Sequence, residues 1–256
     1  MFDFVDNAYV WTLLLVAARV GGLFVVAPVV SRTAVPVRLR LFMSVAVAIA
    51  VVGRLGAPIT APSSLGGLAL AVGAELMIGA AMGYAARLVF AGVEMGAVYV
   101  GQQMGVSLIE ALNPLSDDES GTTRRLFEML AIVIFLAIGG HRQLISALMG
   151  SFEIAPVGAG PSAASMLTMA TALLAASFAL ALKVAAPVLV TLLLATVAMG
   201  LLQRSILPLN IFSIGFPIYA MLGLLTLAAA IAVLSPLIDS AWSMTIRELA
   251  TWLKTG

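Results

Sequence analysis

Six runs of apolar residues, at roughly 8–30, 41–53, 65–93, 126–140, 163–201 and 206–236, set the terms on which this chain can fold. A helix crossing the hydrocarbon core of a bilayer needs about 20 such residues, since the core is about 30 Å thick and a helix rises about 1.5 Å per residue. Three of the runs reach that length, 163–201 exceeds one simple span, and 41–53 and 126–140 fall short unless flanking residues join them. Hydrophobic residues make up 62% of the chain and charged residues 10%, against about 45–50% and about 25% in soluble domains. That is too little charge to cover a water-exposed surface, so the chain belongs in a bilayer or in a large apolar assembly. The reading is an all-α, polytopic membrane protein of about six kinked helices of uneven length.

The breaks between runs are marked by Pro, Gly and Arg. The segments "SRTAVPVRLR" (31–40), "GRLGAPITAPSS" (53–64) and "SFEIAPVGAGPS" (151–162) read as loops or turns. Pro187, Pro208 and Pro217 fall inside apolar runs and are expected to kink or break the helices there. The N-terminal "MFDFVDNAYVW" carries Asp3 and Asp6 where a cleavable signal carries Lys or Arg, and it reads as the start of the first helix. Loops taken alternately place Arg32, Arg38, Arg40, Arg124, Arg125 and Arg204 on one side. Arg54, Arg142, Arg247 and Lys254 fall on the other, without the strong bias that sets orientation.

Arg19, Glu75, Arg87, Glu94 and Lys183 lie within or at the edges of the apolar runs. A charge at the centre of a membrane helix costs about 2.5–3.5 kcal/mol. Pairing with a charge on another helix, snorkelling to a helix end and service in a transport relay each account for such residues. Glu75 and Arg87 are too far apart for an i,i+4 pair, which directs attention to partners on other helices. Gly79–Gly83, Gly92–Gly96 and Gly101–Gly105 repeat the spacing that lets two helix backbones approach closely, within the chain or against another subunit. In the tail, Ile238, Trp242, Ile246, Leu249 and Leu253 share one helical face, as in an amphipathic helix at an interface or docked on a partner.

Catalytic signatures are missing. HExxH, GxSxG and GxxxxGK[ST] do not occur. His141 is the sole histidine and reads as a helix-end residue; the absence of cysteine removes thiolate nucleophiles, disulfides and Cys metal sites. Asp117, Asp118 and Glu119 are adjacent acids that diverge in direction and read as a solvated loop, not a metal site. No catalytic, cofactor-binding or metal residue is assigned. A net charge of +1 offers no electrostatic case for nucleic acid. Two classes remain, a self-contained carrier or channel and a subunit of a larger membrane machine. A carrier of the repeat type would show paired interrupted helices in its two halves. No such repeat is visible, which favours the assembly subunit.

One stretch interrupts the apolar pattern, "GQQMGVSLIEALNPLSDDESG" (101–121). Irregular backbone at membrane depth survives only when buried in protein or lining a cavity. The apolar, Gly-broken part to Leu112 therefore suits a packed element, and Asn113 to Gly121 a solvated connection.

Several motifs together resemble the FliR/SctT family of type III export-gate proteins. "APVVSRTAVPVRLRLFMSVAVAIAV" (27–51) matches a proline, a small loop, VP-x-x-x-[KR] and a following apolar helix. "AELMIGAAMGYAARLVFAGVEMGAVYVGQQMGVSLIEALNP" (74–114) looks like the family's third helix running into a Gly-rich segment that ends in [DN]-P. "LPLNIFSIGFPIYAMLGLLTL" (207–227) is similar to P-x-N-x-F-x-x-G-x-P before a G-L-L helix, the signature residues here being Pro208, Asn210, Phe212, Gly215 and Pro217. Leu209 stands where the family commonly has Gln, and Asn113–Pro114 where it has Asp–Pro.

The resemblance implies a non-enzymatic core subunit of the flagellar protein export gate, without cofactors, in the bacterial inner membrane at the basal body. It implies a FliP-like part, 1–185, fused to a FliQ-like hairpin and tail, 186–256, inside a helical assembly with FliP-like and FliQ-like subunits. FlhB-like and FlhA-like proteins would be neighbours and unfolded flagellar proteins the cargo. A virulence secretion homologue is the alternative. The family's plug would fall on Gly101, Gln102, Gln103, Met104, Gly105, Val106, Ser107, Leu108, Ile109, Glu110, Asn113 and Pro114, with Gly79, Gly83, Gly92 and Gly96 as helix-packing residues.

Overall fold

The computed structural model describes residues 8–28, 36–54, 64–105, 121–158, 160, 162–205 and 211–255. Regular structure among them is α-helical throughout: α1 (Ala8–Val26), α2 (Val37–Val52), α3 (Leu65–Gln103), α4 (Thr122–Ala137), α5 (Gly140–Ile154), α6 (Ala163–Ser205) and α7 (Ile211–Thr255). Four of these helices are long and apolar enough to cross a membrane, and the bent pair α4–α5 makes a fifth if counted as one span. The protein is a polytopic helical membrane protein.

Helix starts follow from local chemistry. Ser64 Oγ accepts the Gly67 N–H at 3.0 Å and opens α3, and Ser162 Oγ accepts the Ser165 N–H at 3.2 Å and opens α6. Hydroxyls inside the helices are satisfied by the preceding turn: Thr12 donates to the Ala8 carbonyl, Ser44 to Arg40 and Thr191 to Pro187, each at 2.8 Å.

Three boundaries differ from those the apolar runs suggest. The 126–140 run is short because it is only the first arm of a bent pair. Gly139 adopts φ +71°, a left-handed conformation that L side chains rarely take, and α4 turns by 64° into α5. α5 itself, with His141, Arg142, Gln143 and Glu153, is too polar to register as an apolar run. The tail is no separate helix: α7 continues from Ile211 to Thr255 over 45 residues. Pro187 in α6 and Pro217 and Pro236 in α7 leave their helices continuous; Pro208 lies outside the described residues. Each proline deletes one hydrogen bond, and a helix held on both sides of the gap by packing tolerates that loss.

The chain forms two compact units. The first comprises Met1–Leu88, Gly139–Leu174 and Trp242–Gly256; the second comprises Val89–Ile138 and Ala175–Ala241. In the first, α1 packs on α2. The core of this unit includes Leu15, Val20, Ile78, Met82, Leu148 and Leu249. The fully buried Trp242 indole donates from Nε1 to Gln143 Oε1 at 3.0 Å. In the second, Val93, Val100, Phe127, Val188, Leu192 and Leu234 are buried, and Phe90 meets Phe135 edge-on with centroids 5.3 Å apart.

Candidate functional site

Apolar side chains cannot alone hold helices together in lipid, because the surrounding chains are as apolar as they are; close backbone packing and polar contacts decide. α3 supplies both, twice.

In the first unit α3 crosses α1 at glycines. A Cβ placed on Gly79 would collide with the Arg19 carbonyl oxygen, and one on Gly83 would lie 2.7 Å from the Leu23 carbonyl oxygen. Gly22 of α1 is the reciprocal contact, 2.5 Å from the Leu76 carbonyl oxygen by the same construction. In the second unit α3 meets α6 the same way, with Gly92 against the Ser177 carbonyl at 2.7 Å and Gly96 against that of Ala181 at 2.8 Å. Both glycine pairs are occupied by helices of the same chain, so neither is presented to another subunit.

The crossing in the first unit encloses a polar core. Arg19 and Glu75, both fully buried, make a two-point ion pair, Nε to Oε2 at 2.5 Å and Nη2 to Oε1 at 3.2 Å. Nη1 donates to Ser151 Oγ at 3.0 Å and Nη2 to the Ala155 carbonyl at 3.1 Å. Glu75 Oε1 accepts the Gly158 N–H at 2.7 Å, and the guanidinium lies 4.2 Å from the Phe152 ring centroid. The expected inter-helix partners of these two charges are therefore each other. Glu94 pairs with Arg124 of α4 at 3.1 Å, partly exposed. Arg87 and Lys183 point outward.

The interrupting segment begins later than its glycines suggest. Gly101, Gln102 and Gln103 form the last turn of α3, and the turn that follows reaches Gly105, whose φ of +76° is the left-handed conformation found after a helix C-terminus. Three contacts in the second unit pin this end. A Cβ on Gly101 would lie 3.2 Å from Thr123 Oγ1 of α4, one on Gly105 would lie 2.9 Å from the Phe216 ring, and one on Gly223 would lie 2.5 Å from Met104 Cγ. Met104 is buried, while Gln102 and Gln103 are exposed. Val106, Ser107, Leu108, Ile109, Glu110, Asn113 and Pro114 lie outside the described residues, as do Asp117, Asp118, Glu119, Pro208 and Asn210. Phe212 is in the first turn of α7, Gly215 is buried there and Pro217 is exposed.

The C-terminal stripe packs inward. Ile238 is buried in the second unit, and Trp242, Leu249 and Leu253 in the first, where Ile246 is half-buried. There α5 and the end of α7 line a cavity of about 320 Å³ whose walls include Ala147, Gly150, Ile246 and Leu249. His141 is exposed at the start of α5. Among the described residues no three His, Asp or Glu side chains gather as metal ligands. What the arrangement does is mechanical: it fixes helices at van der Waals distance and neutralises the charges that fixing buries.

Sequence reasoning missed the partners more than the residues. Ser151, Phe152, Ala155 and Gly158 stand in a stretch read as a loop, and their link to Arg19 and Glu75 spans up to 136 residues. Phe216 and Gly223 stand in the quoted "IGFPIYAMLGLL" segment, which alone carries no sign that they face Met104 and Gly105.

A family model described as "Bacterial export proteins, family 1" matches residues 10–245. The flagellar biosynthetic protein FliR of Escherichia coli K12 is 34% identical over 247 residues, 95% of this chain and 92% of the relative. That of Caulobacter vibrioides is 30% identical over 252 residues, 97% of this chain and 98% of the relative. The Yop proteins translocation protein T of Yersinia pestis is 29% identical over 153 residues, 59% of each chain.

Proposed function

The chain belongs to the bacterial export proteins, family 1, and from that membership we propose that it is a non-enzymatic core subunit of a flagellar type III protein export gate. The observation that carries the reading is the family match along residues 10–245, together with flagellar relatives aligned over 95% and 97% of this chain. In this role the chain helps to form the pore through which unfolded flagellar proteins cross the bacterial inner membrane at the basal body. Its partners are FliP-like and FliQ-like subunits, with FlhB-like and FlhA-like proteins beside them. Residues 1–185 act as the FliP-like part and 186–256 as the FliQ-like hairpin and tail, although residue 185 falls inside the unbroken α6.

The segment that starts at Gly101 acts as the plug of the closed pore. Its first five residues are the last turn of α3 and the turn that follows, gripped by α4 and α7 through Thr123, Phe216 and Gly223. A plug must be held at one end to reseat after each passage, and this anchor supplies that hold. A virulence secretion role is the second reading, favoured by the Yop translocation relative; its match covers 59% of the chain, less than the flagellar relatives cover.

Expression in Escherichia coli lacking its own FliR tests the reading. Restored swimming and flagellar protein in the culture medium are expected. A well-expressed, membrane-inserted chain that supports neither there, and whose loss in its own host leaves flagella intact, would overturn the flagellar assignment.

A further inference from the structure

Lys183 is the only charged residue between Glu153 and Arg204, and it sits at the midpoint of the apolar span Ala164–Leu202 in α6. The face opposite it is used: Ala181, Val184, Ala185 and Val188 are buried, and Gly92 and Gly96 of α3 pack on this side. The face that carries Lys183 is open. Val190, Leu194 and Val197 lie at helical spacing from Lys183 on that side, 55–65% exposed. Among the described residues no carboxylate reaches Lys183, whereas Arg19 has Glu75 and Arg124 has Glu94. Pro187 adds a second polar group at the same place, because it has no N–H to give the carbonyl of Lys183.

Depth decides what covers this face. About 28 Å of apolar helix extends on each side of Lys183, nearly one bilayer core in either direction. If Lys183 lies in the core, its ammonium needs a counter-charge that lipid tails cannot supply. If it lies at headgroup level, one apolar half of the helix stands outside the bilayer and needs protein to cover it. Either position requires a protein partner, and a cation with no carboxylate beside it among the described residues selects an acidic one.

We propose that the Lys183 face of α6 docks on a membrane helix of a partner chain bearing an Asp or Glu side chain at the level of Lys183. The inference rests on the export-assembly reading and adds the face, the register and the charge of the contact.

The test uses the tagged full-length chain, co-expressed with the membrane proteins of its own export locus and purified in mild detergent. Lys183→Glu is expected to lower the recovered partner by about tenfold, as like charges meet in an apolar contact, while Lys183→Arg retains it. Lys183→Met keeps the helix apolar and monodisperse, serves as the folding control, and is expected to give an intermediate loss. Second-site suppressors of Lys183→Glu are expected to change an acidic residue of a partner membrane helix to Lys or Arg. A photo-crosslinker at Val190 is expected to capture that same partner. Full partner recovery by Lys183→Glu, or crosslinks from Val190 to phospholipid alone, overturns the inference and leaves the export reading standing. A wild-type chain that recovers no membrane partner overturns both.

Discussion

Arg19 and Glu75 stand 56 residues apart in sequence and meet in a fully buried two-point ion pair that joins α1 to α3. Gly79, one turn beyond Glu75, packs on the Arg19 backbone carbonyl, so the same two helices are held by backbone and by charge at one level. Burying each ion costs several kcal/mol, and the pair offsets that cost only while both members and their added hydrogen bonds are present.

Breaking the pair from one side is therefore worse than removing it. Arg19→Leu or Glu75→Leu alone is expected to destabilise the detergent-solubilised protein by about 3–5 kcal/mol, and the double Leu variant by much less. Thermal unfolding followed by size-exclusion chromatography checks this. Equal losses in the double and single variants would show that the pair itself stabilises the fold.

Glycine contacts should sort by the space around them. Gly92→Leu and Gly96→Leu drive a side chain into α6 backbone and are expected to cost more than about 1–3 kcal/mol, preventing incorporation into an assembly. Gly21, with nothing within 4 Å of its would-be Cβ, is expected to tolerate Ala and gain about 0.5–1 kcal/mol. Expression yield and monodispersity of the three variants measure the contrast, and indifference at both Gly92 and Gly96 would contradict it.

At Gly105 two penalties can be separated. Gly105→Ala places a Cβ against the Phe216 ring and also forces an L residue to φ +76°. Adding Phe216→Ala should relieve the clash and leave the conformational cost of about 1–2 kcal/mol. A double-mutant cycle on unfolding midpoints reads the partition; no rescue would mean that the ring contact is irrelevant.

Deleting Val106–Leu112 is expected to leave assembly intact and make membranes leak ions and small solutes, because it removes the plug beyond its anchor. Conductance of the reconstituted complex checks this. Membranes as tight as wild type would end the plug assignment.

The helical architecture was legible because 62% apolar content and long runs leave few alternatives. The charges in those runs were visible too, since each is costly there. Arg19 and Glu75 could be flagged one by one, but their meeting depends on how α1 crosses α3, which residue spacing alone does not determine. α5 escaped notice because its surface is polar and its identity as a helix depends on the left-handed Gly139 that turns the chain into it. The end of α3 is not legible because Gly101 suits a helix-packing face and a break equally. In the fold it lies against Thr123, where a larger residue would crowd the helix, and the helix runs on to Gln103.

The ion pair also imposes an order on biogenesis. Translation at about 5–20 residues per second separates Arg19 from Glu75 by about 3–11 s, and Ser151 and Ala155 follow later still. Through that interval α1 carries an arginine with no carboxylate to meet it, at a cost in lipid of about 2.5–3.5 kcal/mol. The first helix is thus a poor membrane anchor until the third is made. Its release from the insertion machinery is expected to wait for α3, and the nascent chain commits to the bilayer as a pair.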